Sequence, residues 1–421
     1  MPGMLKEHSE DSNDNRNTAD TNHWLRLSNE MALSILCLLP RKDLVTISRV
    51  NRKFRDLSKD DSLWTKLTLD YGNIKENIQS CRALVARCGK LSHLKITNEF
   101  NKDESDTDDE HTSVDTNNDD DENYDDEYTH AATNDDDEEE YDDTPALNIM
   151  CVVIEAEATL TTLQIDSGWT VAVWSPNALA QLGQMKQLKK LDLGFDVKYS
   201  GLKYLAGLTN LTDFKVWLHE YESSAFVTMK TYFSQFNKLE VVHLNDIDDV
   251  SSDEMVMSLA SNNPSLRELS FYDWWTDEDE GRVLTNNSLL SLAENCPNLE
   301  FISIPVYAAE GVLEKLVTSC PKLRHIQLEG SLIEDDAFGK LGDSGNGSAL
   351  QHIQMNYAPN ISIEGIRRLV SSAENLKSLA VYWPGPILDH NSTGKLVNKE
   401  DFYKLQQEYP KVDMSIYFFA H

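Results

Sequence analysis

Apolar positions along this chain follow two rhythms. Between Trp24 and Trp64 they recur every three or four residues, the spacing of amphipathic helices. From Leu91 onward they fall into a fixed phrase, Leu-x-x-Leu-x-Leu, whose alternating end predicts a short strand. In the first stretch Ser28 is placed to cap a helix carrying Met31, Ile35, Leu38 and Leu39, which Pro40 stops. Asp43 is placed to cap a second helix with Leu44, Ile47 and Val50, a third runs through Phe54 and Leu57, and Leu63 and Trp64 close the unit. A unit of about forty residues cannot bury this many large apolar groups alone, so part of its surface is expected to await a partner.

The phrase starts at Leu91, Leu160, Leu188, Leu211, Leu239, Leu266, Leu299, Leu323, Leu350 and Leu376, and after Leu160 successive starts lie 23 to 33 residues apart. That is the period of leucine-rich repeats. The expected fold class is therefore α/β: a leucine-rich-repeat solenoid over 72–418, shaped as a horseshoe, behind a small helical module over 23–71. Each repeat gives one strand and one returning helix, such as Ser288 to Ala293 and Gly365 to Ser371, and stacking them makes a core that no single unit could. Val412 to Phe418 reads as a last strand covering the open end.

Charge changes the picture at one place. The net charge is −33, and the segment from Asp103 to Asp143 holds 22 acidic residues with no Lys or Arg. Its composition cannot offset the entropy of ordering, so 103–143 is expected to be disordered, as is the polar tail 1–22. Leu91 and Leu160 stand 69 residues apart, and without those 41 residues 28 remain, one ordinary repeat. The acidic run thus reads as an insertion in the loop of the first repeat. This balance argues against binding nucleic acid, where a basic patch is the usual footprint, and favours a basic protein partner. Met1 to Asn22 has no apolar stretch of a secretory signal, and no run is long enough to span a membrane. A cytoplasmic or nuclear location follows as the expectation. The six cysteines are scattered and read as free thiols.

The helical unit resembles the F-box family. The family pattern aligns without gaps on Leu27, Glu30, Ile35, Leu39, Asp43, Leu44, Val50 and Leu63-Trp64, with Ser28 in place of the usual Pro and Phe54 in place of the usual Trp. Ser caps a helix and Phe fills an aromatic slot, while loss of the Pro bears on adaptor docking. The late segments Ile361-Ser-Ile-Glu-Gly-Ile366, Leu332-Ile-Glu-Asp-Asp336, Cys-Pro-Asn-Leu299 and Cys-Pro-Lys-Leu323 are similar to the cysteine-containing repeats often attached to F-boxes. The resemblance implies a non-catalytic subunit that binds a Skp-type adaptor, and through it a cullin ubiquitin ligase, while its repeats hold a target protein. The adaptor-binding residues it implies are Leu27, Ile35, Leu36, Leu39, Leu44, Val50, Phe54, Leu63 and Trp64.

For the target, strand residues between the apolar positions form the expected concave floor: Lys190, Asp192, Lys215, His243, Glu268, His325, Gln327, His352 and Gln354. Just after the strands come Trp217, Tyr272, Trp274, Trp275, Tyr307, Tyr357, Tyr382 and Trp383, placed in one loop phase where aromatic anchors suit a protein interface. These rings could equally pack on one another. Trp274-Trp275, flanked by acid within the longest repeat, is the strongest of them. Tyr124, Tyr128 and Tyr141 interrupt the acidic run, an arrangement that also suits wrapping basic proteins such as histones. A histone- or basic-protein-binding chaperone is accordingly the alternative reading. No phosphate-cradling Gly-rich loop, His-Glu-x-x-His or Cys-x-x-Cys occurs, so no metal or cofactor is expected. Gly342-Asp-Ser344-Gly345 reads as a turn, and Cys81, Cys88 and His93 as core packing.

Overall fold

In a computed structural model of the chain, the structure describes residues 27–39, 41–98, 144–166, 173–219, 230–245, 253–272, 284–306, 311–329, 333–336, 341, 349–355, 361–383 and 399–418. The acidic run 103–143, its three tyrosines and the Gly342 turn lie outside them, as do Trp274, Trp275, Tyr307 and Tyr357.

Three short helices come first: α1 (Asn29–Leu36), α2 (Arg41–Ile47) and α3 (Arg52–Leu57), followed by a single 3-10 turn at Asp61–Trp64. The rest builds one sheet of twelve strands in strict chain order, every adjacent pair parallel. They are β1 (Lys66–Asp70), β2 (His93–Thr97), β3 (Thr162–Ile165), β4 (Lys190–Lys198), β5 (Asp213–His219) and β6 (Val241–Asn245). They continue as β7 (Glu268–Tyr272), β8 (Phe301–Pro305), β9 (His325–Glu329), β10 (His352–Met355), β11 (Ser378–Trp383) and β12 (Asp413–Phe418). Parallel neighbours require a crossover, and here helices such as Ile78–Arg87, Asn286–Asn295 and Ile363–Ser372 supply it. The result is a leucine-rich-repeat solenoid behind three short helices.

The register places the phrase residues in columns. Leu94, Leu163, Leu191, Phe214, Val242 and Leu269 are successive partners, all buried, and the column continues to Met414. Each leading leucine, from Leu91 to Leu376, is also buried, and all belong to a single apolar core. The strands enter the ladder in a repeated way: the N–H groups of Arg324 and His325 both donate to the Glu300 carbonyl, at 2.9 and 3.1 Å, and those of Lys377 and Ser378 both donate to that of Gln351.

The array starts one strand earlier than the leucine phrase indicates. β1 pairs with β2, Leu67 opposite Leu94 and Leu69 opposite Ile96, which puts Trp64 in the leading-leucine position. The sheet's first strand therefore lies within the segment expected to be purely helical, and the repeat beginning at Leu91 is the second. β2 pairs directly with β3, and the helix Thr144–Val153 lies between them in sequence, so the 103–143 segment leaves from the strand-to-helix connection of that repeat.

Neighbouring repeats are also tied by carboxylates. Asp253, in the first turn of helix Asp253–Asn262, accepts hydrogen bonds from the Thr285 N–H (2.9 Å), the Thr285 hydroxyl and the Ser288 hydroxyl (2.5 Å) at the start of the next helix. Asp335 does the same for Ser362, accepting from its N–H at 2.6 Å and from its hydroxyl. A side chain at Gly365 would collide with the Asp335 carboxylate, so the close approach requires glycine. Three residues ahead of the leading leucines, Asn263, Cys296 and Cys320 turn each helix into its strand and are buried. Asn263 accepts from the Leu239 N–H at 2.9 Å through its side-chain oxygen. Burial pushes the Cys296 thiol up to about 12 and the Cys320 thiol up to about 11, so both remain protonated packing groups.

Candidate adaptor-docking face

The N-terminal helices are held by short-range polar contacts that free their apolar sides for packing. The Ser28 hydroxyl accepts from the Met31 N–H at 3.2 Å, the expected N-cap. Asp43 lies within the first turn of α2 instead of capping it, where its charge still complements the helix dipole. Asn51, an N-cap not singled out in the sequence, accepts from the Phe54 N–H at 2.9 Å. Lys53 donates to the Leu27 carbonyl at 2.5 Å and ties the start of the module to α3. Inside, Ala32, Leu36, Leu44, Phe54, Leu57 and Leu63 form a core of their own, distinct from that of the solenoid.

That core is too small to cover the module. Of eight large apolar side chains exposed among the described residues, four fall here: Met31, Leu38, Val45 and Val50, with Leu38 81% and Val50 65% exposed. Between α1 and α3 opens an apolar cleft of about 420 Å³. Ile35, Leu39, Ile47 and Val50 line its walls, with Leu36 and Phe54 beneath. An exposed patch rimmed by polar residues marks a protein-interaction surface.

The sheet face opposite the core carries the expected floor residues, in register. Its charged members on the earlier strands are largely paired with one another: Lys95 with Asp166 at 2.5 Å, Lys190 with Asp213 at 2.8 Å, and His243 with Glu268 at 3.4 Å. Burial, then Lys215, hold His243 below the usual imidazole range, against the pull of Glu268. Burial raises the Asp192 carboxyl, which Lys215 partly offsets. Trp217 is 40% exposed on β5, between Asp196 and Asn245 of the flanking strands. Tyr272 and Trp383 sit at the ends of β7 and β11.

Comparison with family descriptions matches residues 24–70 to the family described as F-box-like. These residues are an F-box-like domain. Among solved structures, the fold is similar to that in the complex of Rad7 and Elc1 in yeast, at 12% identity and TM-score 0.37, covering 64% of this chain and 78% of that one. It is also similar to TLR13 in its complex with ssRNA13, at 14% identity and TM-score 0.41, covering 76% of this chain and 37% of that one. No curated protein matches the chain. Among the described residues, no helix is long and apolar enough to cross a membrane.

Within the F-box-like domain the residues expected to touch an adaptor divide in two. Leu36, Leu44, Phe54 and Leu63 are buried, Leu44 completely, and serve chiefly as its internal core. Leu27, Ile35, Leu39 and Val50 reach the surface, while Trp64 is half-buried between the two cores. Met31 and Leu38, on the apolar spacing of α1, and Val45 of α2 were not among the residues expected to touch an adaptor, although all three are exposed.

Proposed function

We propose that this chain is the substrate-recognition subunit of a Skp–cullin–F-box ubiquitin ligase. The observation that carries the reading is the uncovered apolar cleft of the F-box-like domain, lined by Ile35, Leu39, Ile47 and Val50, in a domain that also exposes Met31, Leu38 and Val45. Domains of this class dock Skp-type adaptors, and burying such a cleft gains roughly 25 cal/mol per Å² of apolar surface. The adaptor brings the cullin, and the solenoid presents a captured protein. Catalysis by such a subunit is proximity alone: tethering raises the effective concentration of the target near the transferred ubiquitin. Target contacts are assigned to the solenoid face and its strand ends, including Trp217, Tyr272 and Trp383. Mixing the full chain with a purified Skp-type subunit tests the reading; a stable complex is expected, and no measurable association overturns it.

The charge of −33 favours a second reading, capture of basic proteins such as histones. Removing residues 103–143 separates the two. On the ligase reading, adaptor binding and melting temperature survive the deletion; on the second, histone binding at moderate salt is lost with it.

A further inference from the structure

Charge in the F-box-like domain runs against that of the chain. Between Arg41 and Asp60 stand seven Lys or Arg and three Asp or Glu, in a chain of net charge −33. Arg49 and Arg52 bracket Val50 and Asn51, which line the cleft, and Arg55 follows Phe54, which lies beneath it. All three arginines are exposed. Among the described residues no carboxylate pairs with any of them. Arg55 is tied instead to a neutral group, its Nε donating to the Ser48 carbonyl at 3.3 Å. The acids of the N-terminal helices are placed otherwise. Asp56 faces Lys59 at 3.9 Å, and Asp60 accepts from the Ser62 N–H at 2.9 Å and from its hydroxyl at 2.6 Å. Glu30, Asp43 and Asp61 lie in the first turns of α1, α2 and the 3-10 segment. In the solenoid the habit is different: Arg82, Arg267, Arg367 and Arg368 each meet a carboxylate. Local electrostatics give no reason for the contrast. Arg52 and Lys53 open α3, whose first turn holds no acid, and a cation there opposes the helix dipole. Guanidinium groups left unpaired beside an apolar cleft stabilise nothing within the chain itself.

We propose that Arg49, Arg52 and Arg55 form a cationic rim on the cleft, and that the adaptor segment filling it carries carboxylates beside its apolar side chains. Charge complementarity selects this occupant. The walls of Ile35, Leu39, Ile47 and Val50 call for apolar side chains, and the unpaired guanidinium groups, planar donors that match carboxylates, call for acid next to them. A basic segment would meet like charge at the rim. The net charge of −33 repels an acidic partner at a distance, so the rim sets where that partner lands and in which orientation. Charges at the edge of an interface act mainly on the rate of encounter. The inference deepens the substrate-receptor reading and rests on it for the identity of the partner as a Skp-type adaptor.

The test measures the association rate of the full chain with a purified Skp-type subunit at about 0.05 M and about 0.5 M salt, across which exposed charges pass from weakly to strongly screened. The variant Arg49→Glu/Arg52→Glu reads the rim, since both side chains are exposed, and Arg55 is left in place because it holds Ser48. At low salt the variant should associate about tenfold or more slowly, the deficit should shrink at high salt, and its melting curve should match the wild type. An undiminished association rate at low salt, or a loss that salt does not relieve, overturns the proposal and leaves the ligase reading standing. If the wild-type chain binds no Skp-type subunit, the ligase reading falls. The rim is then read with two sets of synthetic peptides that share Leu and Phe and differ only in Glu or Lys. Capture of the Glu set by the wild type and its loss in the variant support the rim; equal binding, binding of neither, or preference for the Lys set overturns it.

Discussion

Val50 and Leu44 sit close in sequence but answer to different free energies, and a paired substitution separates docking from folding. Val50 is 65% exposed and lines the cleft, so replacing it costs the free chain little, within about 0.5 kcal/mol. On docking, Val50→Asp forfeits roughly 1–2 kcal/mol of valine burial and brings a carboxylate into an apolar contact, adding on the order of 2 kcal/mol or more. The sum exceeds about 3 kcal/mol, more than a hundredfold in Kd at ~1.4 kcal/mol per decade. Leu44 is completely buried, so Leu44→Ala removes about 2–5 kcal/mol from folding itself. Titration calorimetry with a Skp-type subunit and thermal unfolding read the two effects. Val50→Asp should lose the adaptor and keep its melting curve, and Leu44→Ala should lower the melting of the N-terminal module. If Val50→Asp binds the adaptor like the wild type, the cleft is not the docking face and the argument from its exposure fails.

Asp253→Ala leaves the Thr285 N–H and the Ser288 hydroxyl without their acceptor and should cost about 1–3 kcal/mol, seen as a lower denaturation midpoint. Burial opposes its ionisation, but Ser288, Thr285 and Asn287 together hold its carboxyl below 3.8, so its contribution is complete above that pH and is lost as pH falls through the folded value. His325 works in the opposite sense: lowered from 6.5 to about 4, it takes up a proton on unfolding in that window, so stability should decline as pH drops from 6.5 towards 4. His325→Phe should flatten that part of the pH profile in chemical denaturation, and an unchanged slope would count against its burial. In native protein a thiol reagent should label Cys37 and Cys151, which are exposed, and spare Cys296 and Cys320 until unfolding; mass spectrometry of labelled peptides decides.

Much of this architecture was legible because both periodicities are imposed by burial. The leucine phrase located β2 to β11, and the alternation in Val412 to Phe418 located β12. β1 escaped notice because Trp64 replaces its leading leucine, a substitution that only the pairing of Leu67 with Leu94 exposes. The cleft was half legible. Sequence spacing identified Ile35, Leu39 and Val50 with Leu36 and Leu44, yet cannot say which of two apolar neighbours turns inward when the helices have only seven or eight residues. The row of rings that Phe301, His325 and His352 stack on the sheet face was least legible. His325 and His352 were placed on the floor by alternation, but their stacking with Phe301 depends on register across β8, β9 and β10, which no local pattern records.

Strict chain order in the sheet makes this molecule a ruler. Because every repeat adds one strand at about 4.8 Å, on the proposed ligase reading the number of repeats after Trp64 would set how far a cargo rides from the adaptor. A duplicated or deleted repeat would leave both ends chemically intact and still change the distance between them by one strand spacing.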